Sequence, residues 1–313
     1  MSEGQALTPR LSPGTAGIAR RGLLLGMAWL NENLQHFAVR TVTSQRFDKH
    51  HVAQLKPLTE LALTVWMLKR CGLELPLLDA TASWIWQQCE HGRKLVALLL
   101  ARHDFLPCCA LYASLRQLGF RDPALDRVLR LLARADIEAA LPLQPWSRLA
   151  MRYNLWQLGL TKWPGQEGGL YIATRPEPWV VSGEVAYAIT HEVFYLTDFG
   201  ARELEDVCVT DYLRAWLPYW TRAFVDANDN DLAAELAMVA ACLQASHDPA
   251  STQGLHSALA VQREDGAVPG PDGAGSFLFA EGDTAAHRDF LGCYHTTLVT
   301  LMAAAMTLRN STI

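Results

Sequence analysis

Helical periodicity broken only by glycine and proline constrains this chain more than any other feature. Apolar residues recur at three- and four-residue spacings along most of the 313 positions, and no stretch shows sustained two-residue alternation. The pattern predicts helices at about 14–37, 57–72, 77–90, 93–103, 105–119 and 123–140. In the second half it predicts them at about 145–159, 182–199, 204–224, 230–246, 251–264 and 285–309. Pro57 is expected at a first helical position and Gly72 just past a C-terminus. Ser182, Ser251 and Thr284 are candidate N-caps. Residues 1–13, rich in Gly, Pro and Ser, read as a loose tail, which leaves 14–313 as one all-helical domain.

Most connections are short, so consecutive helices are expected to run antiparallel as neighbours. About twelve helices make six hairpins, enough to close an α/α toroid with alternate helices in inner and outer layers. Two longer irregular segments, 160–181 and 265–283, are candidate lids or binding loops.

Composition narrows the function classes. Half of the residues are hydrophobic and 19% are charged, which suits a large packed core rather than disorder. The net charge of -5 is spread along the chain, so no nucleic-acid partner is expected. Seven cysteines are scattered without paired spacing, which points to reduced thiols and a cytoplasmic protein. Arg20-Arg21 before a short apolar run loosely has the form of a twin-arginine export signal, but a core helix accounts for it better. No apolar run approaches the ~20 residues of a membrane span.

Two segments could carry chemistry. In Thr190-His191-Glu192-Val193-Phe194-Tyr195-Leu196-Thr197-Asp198-Phe199-Gly200, helical spacing puts His191, Tyr195 and Asp198 on one face. An imidazole, a phenol and a carboxylate inside an apolar helix are costly unless paired or used. The plain alternative is that Thr197 or Asp198 caps the chain at Gly200 while His191 makes one core hydrogen bond. The second segment, from His287 to Thr297, opens the last helix and contains Asp289, Tyr294 and His295 ahead of an apolar run.

Helix counting groups these residues. His191 and His295 fall on even-numbered helices, so both could line one central cavity, with His191, Asp198 and His295 catalytic and Tyr195, Tyr294 and Asp289 binding a small-molecule substrate. Loops feeding even helices would bring Asp48, His50, His51, Arg121, Asp122, Asp226, Asn228, Asp229, Asp231, Asp283 and His287 to the same mouth; solvated surface is the alternative for each. Ten tryptophans either pack between layers or line the cavity.

Gln262-Arg263-Glu264-Asp265-Gly266 resembles the Gln-x-x-Asp-Gly repeat ends of terpene cyclases and protein prenyltransferase β subunits, which implies the α/α toroid. Tyr294-His295-Thr296 resembles the prenyltransferase segment whose His binds catalytic zinc, and Asp206-Val207-Cys208 has the form of its other ligands. That resemblance implies a zinc site of Asp206, Cys208 and His295, and a helical partner subunit. By helix parity Cys208 belongs to the other layer, so the preferred reading has no cofactor.

The Thr190–Gly200 and Cys293–Thr297 segments are also similar to those of an uncharacterised family of helical actinobacterial proteins encoded beside natural-product pathways. That similarity implies a bacterial tailoring enzyme performing proton transfer, elimination or cyclisation, an aziridine-forming cyclase component among them. The contrasting expectation is a toroid that serves as a non-catalytic binding or partner subunit.

Overall fold

The computed structural model of the protein describes residues 13–39, 49–102, 106, 108–165, 169–245 and 248–309. Residues 1–12 of the expected tail and Asp48 lie outside the described residues, as do the side chains of His50, His51 and Ser251. The protein is all-helical, and no strand occurs among the described residues.

The first half contains α1 (Pro13–Glu32), α2 (Lys49–Arg70), α3 (Pro76–Gln88), α4 (Arg93–Ala101), α5 (Cys109–Gln117), α6 (Pro123–Arg134) and the single turn α7 (Ile137–Ala140). The second contains α8 (Pro145–Gln157), the short α9 (Tyr171–Thr174), α10 (Gly183–Leu196), α11 (Val207–Asp226), α12 (Asn230–Cys242), α13 (Pro249–Ala260) and α14 (Ala285–Arg309).

The helix ends follow local chemistry. Proline opens α3, α6 and α8, where its missing N–H is no loss. Aspartates cap three helices by accepting otherwise orphaned N–H groups: Asp122 from Leu125 at 2.6 Å, Asp206 from Cys208 at 2.8 Å, and Asp229 from Leu232 at 3.1 Å. Thr284 caps α14 through the His287 amide at 3.1 Å, as expected. Ser182 occupies the N-cap of α10 without a capping side-chain bond.

Pro57 corrects the reading of α2. The helix starts at Lys49, so Pro57 lies inside it and forgoes one backbone bond. Gly72 ends that helix in the left-handed region at φ 89°, as expected.

Six helices touch in turn. α2 packs on α5, α5 on α8, α8 on α10, α10 on α12, and α12 on α14, which also packs on α2. Others lie behind them: α13 against α12 and α11, α1 against α14 and α13, α3 against α2, and α4 against α6. The Arg20-Arg21 segment belongs to α1, whose Ala19, Leu23, Met27, Trp29 and Leu30 are buried.

The Gln262 turn joins the two ends of the chain. Gln262 Nε2 donates to the carbonyls of Gly22 at 3.0 Å and Gly266 at 2.9 Å. Gly266 has φ +94°, and a Cβ there would stand 2.1 Å from the Leu25 carbonyl oxygen, so only glycine fits against α1. By length and composition α14 could cross a bilayer, unlike the sequence expectation, but 83% of its apolar window is buried inside the protein.

Candidate functional site

A cavity of about 420 Å³ opens among α2, α5, α8, α10, α12 and α14. Aromatic and aliphatic side chains make most of its wall. Trp146, Tyr187, His191, Tyr195 and Tyr153 form a run of neighbouring rings, and Leu298, Val299 and Met302 of α14 complete an apolar side.

Ionisable groups gather on the α2, α12 and α14 side. Lys56 and Glu60 stand one turn apart on α2 and form an ion pair. Asp231 and Glu235 stand one turn apart on α12. His295 of α14 reaches both helices: its Nδ1 lies 3.0 Å from Glu60 Oε2, and its Nε2 lies 3.3 Å from Asp231 Oδ2 and 3.9 Å from Glu235 Oε1. Two carboxylate partners require two ring protons, so the geometry selects the imidazolium.

The electrostatics agree. Burial opposes charge on His295, but Asp231 and then Glu60 overcome it and raise the pKa to about 10. Burial likewise disfavours the Glu60 carboxylate, yet Lys56 and His295 hold its pKa far below the usual range. Asp231 is also lowered against its burial, by His295 and by the Thr296 hydroxyl, which donates to it at 2.9 Å. Glu235 goes the other way: burial and the nearby Asp231 charge push it upward. Two cations therefore serve two carboxylates, and Glu235, bonded by the Thr190 hydroxyl, is the carboxyl that keeps its proton.

His191 is the opposite of His295. Its Nδ1 lies 2.8 Å from the Tyr187 carbonyl oxygen and donates to it, which leaves the lone pair on Nε2. Burial lowers its pKa to about 4, so the ring is neutral.

The remaining expected site residues divide. Tyr195 lines the cavity with His191. Asp198 does not share their face, because α10 ends at Leu196 and Asp198 has turned left-handed at φ 48°, where helical spacing no longer applies. It accepts from Arg70 Nη1 at 3.0 Å, from Nη2 at 2.6 Å and from the Tyr153 hydroxyl at 2.6 Å. Its contribution to the cavity is to hold Tyr153. Tyr294 is buried behind the cluster, its ring centroid 6.0 Å from Lys56 Nζ. Asp289 is exposed and joined to Arg263 by two 2.9 Å bonds, away from the cavity lining.

The expected mouth residues also disperse. Asp122 and Asp229 are spent on helix caps, and of that set Asp231 alone joins the cluster. Asp206 is likewise a cap, and Cys208 is exposed, so neither meets His295. Among the described residues, the group whose ligand atoms lie within 4.8 Å of one another is Asp231, Glu235 and His295. Two carboxylates and an imidazole could hold a divalent ion.

Helix parity holds in part. Of the helices expected from sequence, the second, eighth, tenth and twelfth wall the cavity, but the fifth and seventh replace the fourth and sixth. The chain inserts both α3 and α4 between α2 and α5, joined by a kink at left-handed Glu90, His91 and Gly92. It then places only the four-residue α9 between α8 and α10. One helix is gained and one lost, so the count slips and recovers.

Sequence reasoning missed Lys56, Glu60, Tyr187 and Glu235. Lys56 and Glu60 have the i, i+4 spacing common to solvated surface pairs, so spacing alone does not single them out. Glu235 carried a usable signal, as the one charged residue between Leu232 and Cys242, a single turn from Asp231. Glu192 is another buried carboxyl, accepting from the amides of Tyr171 at 3.0 Å and Ile172 at 2.9 Å; it anchors α9 within the 160–181 segment.

Fold and site together define an all-helical protein with a polar cluster set into a mainly apolar chamber. A family model described as a domain of unknown function, DUF6895, matches residues 23–305, and the chain belongs to that family. Neither a curated protein nor a solved structure matches the chain.

Proposed function

We propose that the protein is an α/α toroid enzyme whose central chamber performs acid–base chemistry on a small molecule. The succession α2, α5, α8, α10, α12 and α14, whose last member also touches α2, supports the closed ring. The observation that carries the catalytic reading is His191, a neutral imidazole whose Nδ1 is committed to the Tyr187 carbonyl and whose Nε2 is free to accept a proton in an apolar chamber.

The step is a proton transfer with elimination or ring closure. A substrate proton passes to His191 Nε2, and the electron pair left behind forms a double bond or a ring as the leaving group departs with its own pair. Glu235 can give its proton to that group, while the His295 imidazolium stabilises the developing negative charge. The natural-product resemblance favours a tailoring cyclisation of bacterial secondary metabolism. Aziridine formation is one such case, an amine nitrogen losing its proton as it displaces a group on the neighbouring carbon.

Incubating the protein with a bacterial small-molecule extract in D2O, followed by mass spectrometry, tests this. The expected result is a compound that gains deuterium or loses a leaving group with the wild type but not with His191→Gln. Turnover that survives His191→Gln would sink the proposal. Stoichiometric zinc in the purified protein, lost on Asp231→Asn, would replace it with a metal enzyme.

A further inference from the structure

Two polar side chains on the α5 and α8 side of the chamber have no hydrogen-bond partner among the described residues. Ser114 is 3% exposed and Asn154 is 7% exposed, and both line the cavity. Neither side chain makes a hydrogen bond with any described residue. Among the described residues, buried helical hydroxyls divide into those bonded to their own helix and those left free, and Ser114 is a free one that lines the cavity. Thr59, Thr64 and Thr197 each donate to the carbonyl four residues back, at 2.8, 2.8 and 2.7 Å, whereas Ser114 makes no such bond to Ala110. Both side chains open onto the cavity, where only solvent or a ligand can complete their hydrogen bonds, so they are poised for a ligand.

The chamber's charges lie elsewhere. Lys56 and His295 project from α2 and α14 and are paired with Glu60 and Asp231. Next to Asn154, the Tyr153 hydroxyl gives its proton to Asp198 and accepts from Gln157 Nε2 at 2.7 Å. Among the described residues that line the cavity, none from α5 or α8 is a cation that could neutralise an anion. An asparagine amide and a serine hydroxyl both donate and accept, so the complementary group must do the same.

We infer that Ser114 and Asn154 form a binding subsite for a neutral hydrogen-bonding group of the substrate, of the carboxamide type, while the reacting end of the molecule lies at His191 and Glu235. This rests on the chamber being the substrate site. The substrate is then a small molecule with an apolar body, a neutral amide-like end and a reactive end, and the subsite sets its direction in the chamber.

Three probes of similar shape, toluene, benzamide and benzoate, test the subsite by calorimetric titration into the full chain. Benzamide is expected to bind the wild type most tightly. Asn154→Leu should weaken benzamide about tenfold while leaving toluene equal or tighter, since each tenfold is about 1.4 kcal/mol. Its melting temperature should not fall, because an unpaired buried amide has been replaced by an apolar group. Ser114→Ala removes one oxygen atom and should weaken benzamide by a few-fold, which keeps the test open should Asn154→Leu fail to fold. Equal benzamide affinity in wild type and variants, or tighter binding of benzoate, overturns the subsite alone. If none of the probes binds, the chamber is not a small-molecule site, and the proposed function fails with it.

Discussion

Asp198 and Glu235 are both carboxyls set into the protein beside the chamber, and their surroundings use them in contrary ways. Asp198 is saturated: the two arms of the Arg70 guanidinium and the Tyr153 hydroxyl occupy its oxygens. Nothing is left for a substrate, so the carboxylate braces α10 against α2 and α8 and holds Tyr153 in the wall. Among the described residues, Glu235 shares its region with two other carboxylates and two cations, so the charges balance when it stays protonated. A saturated carboxylate stabilises; an unbalanced one keeps a proton to give. The sequence reading assigned catalysis to Asp198, and the geometry assigns it bracing.

The largest expected effect at fixed pH lies on the bracing side. Arg70→Ala leaves Asp198 partly buried without its cation and should cost about 3 kcal/mol in urea denaturation. A loss below about 1 kcal/mol would erase the contrast between the two regions.

Glu235 should show itself through pH. Its folded pKa is raised to about 8, above the 4.5 of an ordinary glutamate, so its contribution is fully present below pH 4.5 and lost as pH rises through 8. Relative to Glu235→Gln, the wild type should therefore lose about 4 kcal/mol between pH 5 and 9. His295, raised to about 10 from the 6.5 of an ordinary histidine, adds a loss of the same sign as pH rises from 6.5 through 10, and the comparison with Glu235→Gln cancels it because both proteins carry His295. Parallel stability curves for the two proteins would show that Glu235 is ionised in the folded state.

The two histidines sharpen the comparison further. His191, with a folded pKa near 4 against 6.5 for an ordinary histidine, contributes stability above pH 6.5 that is lost as pH falls through 4. Histidine ring resonances followed by NMR should show His191 neutral at pH 6 and His295 still charged at pH 8. The smallest effect is expected at the surface: Asp289→Ala, which removes an exposed partner of Arg263, should change stability by less than about 0.5 kcal/mol and leave the chamber unaltered.

How much of the site was legible follows from the range of each signal. His191 and Tyr195 are four residues apart on one helix, and their shared face is a local property that spacing reveals. Asp198 fails the same rule because Thr197 ends the helix and the next residues are left-handed. Its true partner, Arg70, lies 128 positions earlier, a distance no local pattern spans. Glu60 meets His295 across 235 positions and would pass for half of a surface ion pair in any other fold. The Asp206 and Cys208 resemblance failed for a related reason: α11 packs behind α12, so its N-terminus does not reach the chamber.

The sequence by itself determined that the chain is helical, where most helices stop, and that polar residues near 191 and 295 stand out from apolar surroundings. Periodicity, caps and breakers act within a few residues, so they survive in the linear text. Only the tertiary structure decided which helices wall the chamber, because one extra helix before α5 and one missing before α10 change sides without changing the local pattern. It also decided protonation. Whether a carboxyl is charged depends on how many carboxylates and cations share one low-dielectric space, and three distant segments of the chain supply those at this site.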